Sequence, residues 1–168
     1  MRPPLTAGPV ASGTAGSQAH GATLWAHDHA GRGPRRITHT VVAIPWDAGA
    51  QVAEAIGCRA ALYLLLDLPT ANKSARIVGD NLAVVRFGAG TARLRRVAMQ
   101  AQVERGLNAV LGQGWRLAWQ AVRRRLNGDA DCFATQGVML AARLRDAGQY
   151  DLNTTVTFEE GYPQRPGP

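Results

Sequence analysis

Lysine is almost absent from these 168 residues: of the 19 Lys+Arg, Lys73 alone is a lysine. The Gly-Ala-Gly turn at residues 88–90 therefore lacks the lysine of a phosphate-binding loop, and no nucleotide site is assigned there. Cysteine is scarce too. Cys58 and Cys132 are too few and too far apart for a zinc ribbon or a redox pair, and both sit in apolar helical patterns as buried thiols. Long apolar runs are missing as well. The first nineteen residues are rich in Ala, Gly, Pro and Ser without a continuous hydrophobic stretch, which argues against a secretory signal or a membrane anchor. The expectation is a soluble intracellular protein, in cytoplasm or nucleus, with no membrane partner.

Acid is in the minority, at 12 Asp+Glu and a net charge of +7. An arginine-borne excess of this kind favours an anionic partner, because the guanidinium fork matches phosphate geometry. A compositional arginine bias is the bland alternative. With 46% hydrophobic and 18% charged residues the chain is globular, and its length suits one domain that needs no disulfide or structural metal.

Breakers crowd residues 1–18 (Pro3, Pro4, Gly8, Pro9, Gly13, Gly16), which read as a poorly ordered leader or a degenerate first strand. Ala22–Ala26 and Ile37–Ile44 suit a strand hairpin closed by the Asp, Gly and Pro residues between them. Asp47 is placed to cap a helix running to about Leu66, with Val52, Ile56, Ala60 and Tyr63 at helical spacing. Arg76–Asp80 reads as a buried strand. Leu94, Val97, Ala101, Leu107 and Val110 trace one helical face, which Gly106 is expected to bend or split. Trp115, Leu117 and Trp119 alternate with polar residues as in a half-exposed strand, the two tryptophans facing the core. A last helix opens near Asn127 and carries Phe133, Gly137, Leu140 and Leu144. Residues 19–148 thus form the domain, with 149–168 as a polar, Pro/Gly-ended tail.

Three carboxylates stand where a metal site could be built. Glu54 lies among small neighbours in the first helix, Asp80 ends a strand, and Asp131 opens the last helix. Each also has a plain reading: surface acid, cap of the segment from Asn81, and first-turn acid favoured by the helix dipole. His27, Asp28 and His29 have metal-ligand chemistry but lie at a turn without a further ligand, so they read as surface residues.

Together, the words around the three acids resemble the ribonuclease H superfamily, particularly its domains of retroelement origin. VAEAIGCRAAL around Glu54, IVGDNLAVV around Asp80 and NGDADCFAT around Asp131 occur in the family's order, and the resemblance covers roughly residues 19–145. It implies an α/β fold, an RNase H-like mixed five-stranded sheet with flanking helices, its first strand degenerate or partly missing. Glu54, Asp80 and Asp131 would be both catalytic residues and metal ligands, for Mg²⁺ or Mn²⁺ in a two-metal site that hydrolyses the RNA strand of RNA/DNA hybrid. Arg93, Arg95, Arg96, Arg123, Arg124 and Arg125 would grip phosphates, with Asn81 and Asn127 beside them as nucleic-acid contacts. Relatives of this kind can be parts of larger polyproteins.

One departure stands out. The family's first strand supplies an Asp in a DG[ST]-like word, and the nearest counterpart here is Ser12-Gly13-Thr14, which makes Ser12 the degenerate catalytic position. An alternative is that the true first strand has been lost. A neutral hydroxyl holds a divalent cation poorly, so a second function stays open: a catalytically impaired RNase H-like nucleic-acid-binding module. An integrase-like nuclease is disfavoured, since its acids would run Asp, Asp, Glu, whereas Glu54 precedes Asp80 here.

Overall fold

The computed structural model describes residues 5–14, 17–27, 34–44, 49–68, 71, 73–148 and 154–159; side chains are described for 49–68, 71, 73–128, 134–144 and 146–148. Six strands, β1 (Leu5–Thr14), β2 (Ser17–His27), β3 (Pro34–Ile44), β4 (Ser74–Gly79), β5 (Arg116–Ala121) and β6 (Thr154–Glu159), form one sheet in the order β5-β4-β1-β2-β3-β6. Four helices accompany them: α1 (Ala50–Tyr63), α2 (Leu82–Gly88), α3 (Val97–Gly112) and α4 (Gly128–Asp146). The mixed α/β class holds, with one strand more than the five expected.

The sheet has an antiparallel half and a parallel half. β1 runs antiparallel to β2 over Leu5–Thr14, β2 to β3, and β3 to β6; β4 is parallel to both β1 and β5. Residues 5–14, read from sequence as a leader or a degenerate strand, are strand β1. Its glycines and proline are poor strand formers, but the pairing with β2 supplies what local propensity does not. The sixth strand lies inside the stretch read as a tail, where Thr154, Thr155, Val156 and Thr157 are β-branched and pair with Thr40–Ala43 of β3.

α1 is buried on most sides: Ala53, Ala55, Ile56, Cys58, Ala60, Ala61 and Leu62 are all closed from solvent. Such a helix has the sheet on one side and another helix on the other. It packs on α3 and across β1 and β2, whereas α4 packs across β1, β2 and β3 without comparable packing on α1, which sets the two helices on opposite faces. The core between α1, α3 and the parallel strands includes Cys58, Leu62, Leu65, Ile77, Met99, Val103, Val110 and Trp115. Trp115 and Trp119 serve this core, as their alternation suggested.

α3 runs unbroken from Val97 to Gly112, so Gly106 does not split it. A Cβ on Gly106 would stand 2.7 Å from Leu62 Cδ1 and 3.2 Å from Arg59 Cα. The glycine is there for close approach of two helices, and it interrupts nothing. Arg59 Nη1 donates to Gln102 Oε1 at 2.5 Å across the same crossing. Leu94 is buried but lies before the helix, in the segment that joins α2 to α3.

Candidate functional site

β4 ends at Gly79, and Asp80 follows immediately, so the strand delivers a carboxylate at its C-terminal end, where α/β sheets gather ligands. Asn81 then begins α2. Its Oδ1 accepts from Ala83 N at 3.0 Å and Val84 N at 3.1 Å, a side-chain cap on two otherwise unpaired amides. The cap that could have been assigned to Asp80 therefore belongs to Asn81. Asp47 lies outside the described residues; the N-cap of α1 is Gly49, at φ 76°, with no side-chain cap.

Glu54 comes from a different element, one turn into α1. With Cys58 at i+4 on the same stripe it lines a pocket that also takes in Ile77, Gly79, Asp80, Asn81, Val84, Val85 and Trp119. Glu54 and Asp80, 26 positions apart, thus meet at one site. The Asn81 Nδ2 donates to Glu54 Oε2. Burial pushes the Glu54 carboxyl above its ordinary range; the Asn81 hydrogen bond pulls it down, the Asp80 charge pushes it up, and the Arg124 charge pulls it down. Cys58 is fully enclosed, and burial raises its thiol to about 12, so it is an inert apolar wall.

The arginines fall at two places, one of them beside this pocket. Beyond Ala121 the chain stays tied to β4, Val122 N donating to the Gly79 carbonyl at 2.9 Å, and then enters a 3-10 turn at Arg124–Leu126. That bond sets Arg123, Arg124 and Arg125, all exposed, beside the strand end that carries Asp80. Arg93, Arg95 and Arg96 are exposed in the segment that leads into α3. Arg96 Nη1 lies 3.9 Å from where a Cβ of Gly49 would stand, at the start of the helix that bears Glu54. Asn127 is 9% exposed and sits within the packing rather than on an open surface.

Asp131 lies in the first turn of α4, and its side chain, like those of Ser12, His27 and Cys132, is outside the described ones; Asp28 and His29 are outside the described residues altogether. Among the described residues no three His, Cys, Asp or Glu gather as a metal cage. The register of β1 gives Ser12 its place in the sheet. It pairs with Ala19 of β2, third from the end of β1 rather than at its centre, while the stretch in register with β4 is Leu5–Ala7. Position 12 is five residues past Ala7 and in the opposite alternation of the pleat. β1 contains no acid at any position.

No family model matches the chain, and no curated protein matches it. Solved structures do. The N-terminal RNase H domain of Rv2228c from Mycobacterium tuberculosis, studied as a fusion with maltose-binding protein, superposes with a TM-score of 0.71 at 22% identity, covering 84% of this chain and 97% of that one. The chain has the ribonuclease H fold. RNase H1 from the halophilic archaeon Halobacterium salinarum NRC-1 gives a TM-score of 0.66 at 20% identity, over 80% of this chain and 97% of its own. LC11-RNase H1, solved in complex with RNA/DNA hybrid, gives 0.66 at 13% identity, over 82% and 99%. Within this RNase H-like domain, the pocket lining missed by sequence reasoning is Cys58, Ile77, Gly79, Val84, Val85 and Trp119; Cys58 and Trp119 read as core. The spacing of Cys58 four residues after Glu54 was the available signal. Among the described residues no helix is long and apolar enough to cross a membrane.

Proposed function

We propose that this RNase H-like domain binds RNA/DNA hybrid and hydrolyses its RNA strand in a divalent-cation-dependent reaction. The observation that carries the reading is the meeting of Glu54 and Asp80, from separate elements, in one pocket at the end of β4. Two carboxylates close enough for Asp80 to raise the Glu54 pKa repel each other, and a cation between such groups relieves that repulsion. The donor set is all oxygen, which suits Mg²⁺ or Mn²⁺. Glu54 and Asp80 would hold the cation, with Asp131 as the third carboxylate from α4. When bound, such ions activate water and stabilise the leaving oxygen of a phosphodiester.

The protein's own residues do the rest. Arg123, Arg124 and Arg125 stand beside Asp80 to take phosphates of one backbone, and Arg93, Arg95 and Arg96 stand at the α1–α3 end to take others. Recognition of this kind reads shape, phosphate and 2′-OH rather than base sequence. Because β1 adds no acid, Glu54, Asp80 and Asp131 would be the three carboxylates to hold two divalent ions, the second ion would be held weakly, and slow cleavage is expected. Loss of one metal-positioning group costs on the order of a thousandfold in rate.

A hybrid-cleavage assay in Mg²⁺ and in Mn²⁺ on the parent, Glu54→Gln and Asp80→Asn tests this. Slow cleavage abolished by either substitution is expected. Parent cleavage that Asp80→Asn leaves intact would overturn the mechanism. Tight hybrid binding with no cleavage in either metal would instead establish a binding module.

A further inference from the structure

The geometry points to Asn81 as a positioning residue, which fixes the Glu54 carboxylate through the same side chain that starts α2. This inference rests on the reading of Glu54 and Asp80 as a cation-binding pair, and adds the group that orients one of them.

The amide of Asn81 has no freedom left. Its Oδ1 is shared by the Ala83 and Val84 amides, so the Nδ2 end must face the other way, and that is where the Glu54 carboxylate lies. Reversing the amide would set an NH₂ group against two N–H donors and a carbonyl against a carboxylate, both repulsive. The direction of the bond to Glu54 is thus dictated by the helix cap. Glu54 needs such a hold. Its neighbours in the pocket, Cys58, Val84, Val85 and Trp119, offer bulk but little polarity, and a glutamate has three side-chain torsions to settle. Asn81 follows Asp80 directly in the chain, so the backbone that presents one carboxylate also presents the amide that orients the other. Capping alone would not require asparagine, since serine caps a helix about as well. What asparagine adds is a donor on the far side of the acceptor.

Substitutions at residue 81 separate the two roles in the full-length protein. Asn81→Ser keeps a cap oxygen but lacks the amide donor; Asn81→Ala lacks both. Amide exchange at Ala83 and Val84 reads the cap, and the ¹³C resonance of the Glu54 side-chain carboxyl, identified by its loss in Glu54→Gln, reads the hold. In Asn81→Ser the exchange protection should stay within about twofold of the parent while the Glu54 resonance moves. Mn²⁺ affinity should weaken roughly three- to tenfold, the cost of ordering a freed side chain on binding. In Asn81→Ala both readouts should change. A Glu54 resonance in Asn81→Ser that coincides with the parent's would overturn the inference and leave Asn81 a cap only. If instead Glu54→Gln binds Mn²⁺ as the parent does, the cation reading fails, and the carboxyl resonance still decides what Asn81 does to Glu54.

Discussion

Ala7 of β1 is in register with Ile77 of β4, three residues before Asp80. In parallel strands residues in register share a face, so position 7 belongs to the alternation of Ile77 and Gly79, which both border the carboxylate pocket. Position 12 does not. A carboxylate introduced by Ala7→Asp should therefore join Glu54 and Asp80 and tighten Mn²⁺ binding by on the order of tenfold, about 1.4 kcal/mol. Ser12→Asp should leave it unchanged. Calorimetric titration of both variants checks this, and tighter binding by Ser12→Asp alone would contradict the register.

Glu54 should make the protein less stable at neutral pH. Its folded-state pKa lies above the ordinary 4.5, first through burial, so between the two values the folded state binds more protons than the unfolded one. Stability therefore falls as pH rises from about the unfolded value through the folded one. Glu54→Gln, which keeps an oxygen for Asn81 Nδ2, should melt at higher temperature than the parent at pH 7. That advantage should shrink as pH approaches 4.5 and below. Equal melting temperatures at every pH would mean that the carboxylate is well solvated.

Two glycines of α3 should respond to alanine with opposite signs. At Gly106 the new methyl meets Leu62 and the Arg59 backbone, so Gly106→Ala should destabilise by about 1–3 kcal/mol despite alanine's better helix propensity. At Gly112 nothing lies within 4 Å, so Gly112→Ala should stabilise by about 0.4–1 kcal/mol. Denaturant unfolding of both variants measures the difference.

The arginines beside Asp80 should set the salt dependence of hybrid binding. Replacing Arg123, Arg124 and Arg125 by alanine should reduce the slope of log affinity against log salt by roughly 0.9 for each phosphate no longer neutralised. An unchanged slope returns the three to a solvated surface.

Much of this architecture can be read from the chain because the informative words are local. The alanine-rich run around Glu54, the β-branched run before Asp80 and the alternation through Trp119 each carry their own periodicity, and each forms the element it suggests. What could not be read is pairwise. Gly106 looks like a helix breaker until Arg59 and Leu62 are placed against it, and β1 looks patternless until β2 lies along its whole length. Residues 154–159 are hidden among polar and turn-forming neighbours, and only the β3 edge makes them a strand. For the site, Glu54 and Asp80 are visible as candidates, but the amide of Asn81 between them is not, since a hydrogen bond across 27 positions leaves no mark on spacing. For Ser12 the Ser-Gly-Thr word suggests an identity, while the ladder alone gives a position in the sheet.

β1 is joined to β2 along Leu5–Thr14 but to β4 only along Leu5–Ala7. The sheet therefore has a short seam at its middle, with β4 and β5 on one side and β1, β2, β3 and β6 on the other. Cooperative units separate where the fewest bonds cross, so this seam is where partial opening would begin. Asp80 rides on one side of it and any acid placed in β1 would ride on the other. A cation held by both would act as a rivet across the sheet, and its release would be felt first as faster amide exchange along Leu5–Ala7.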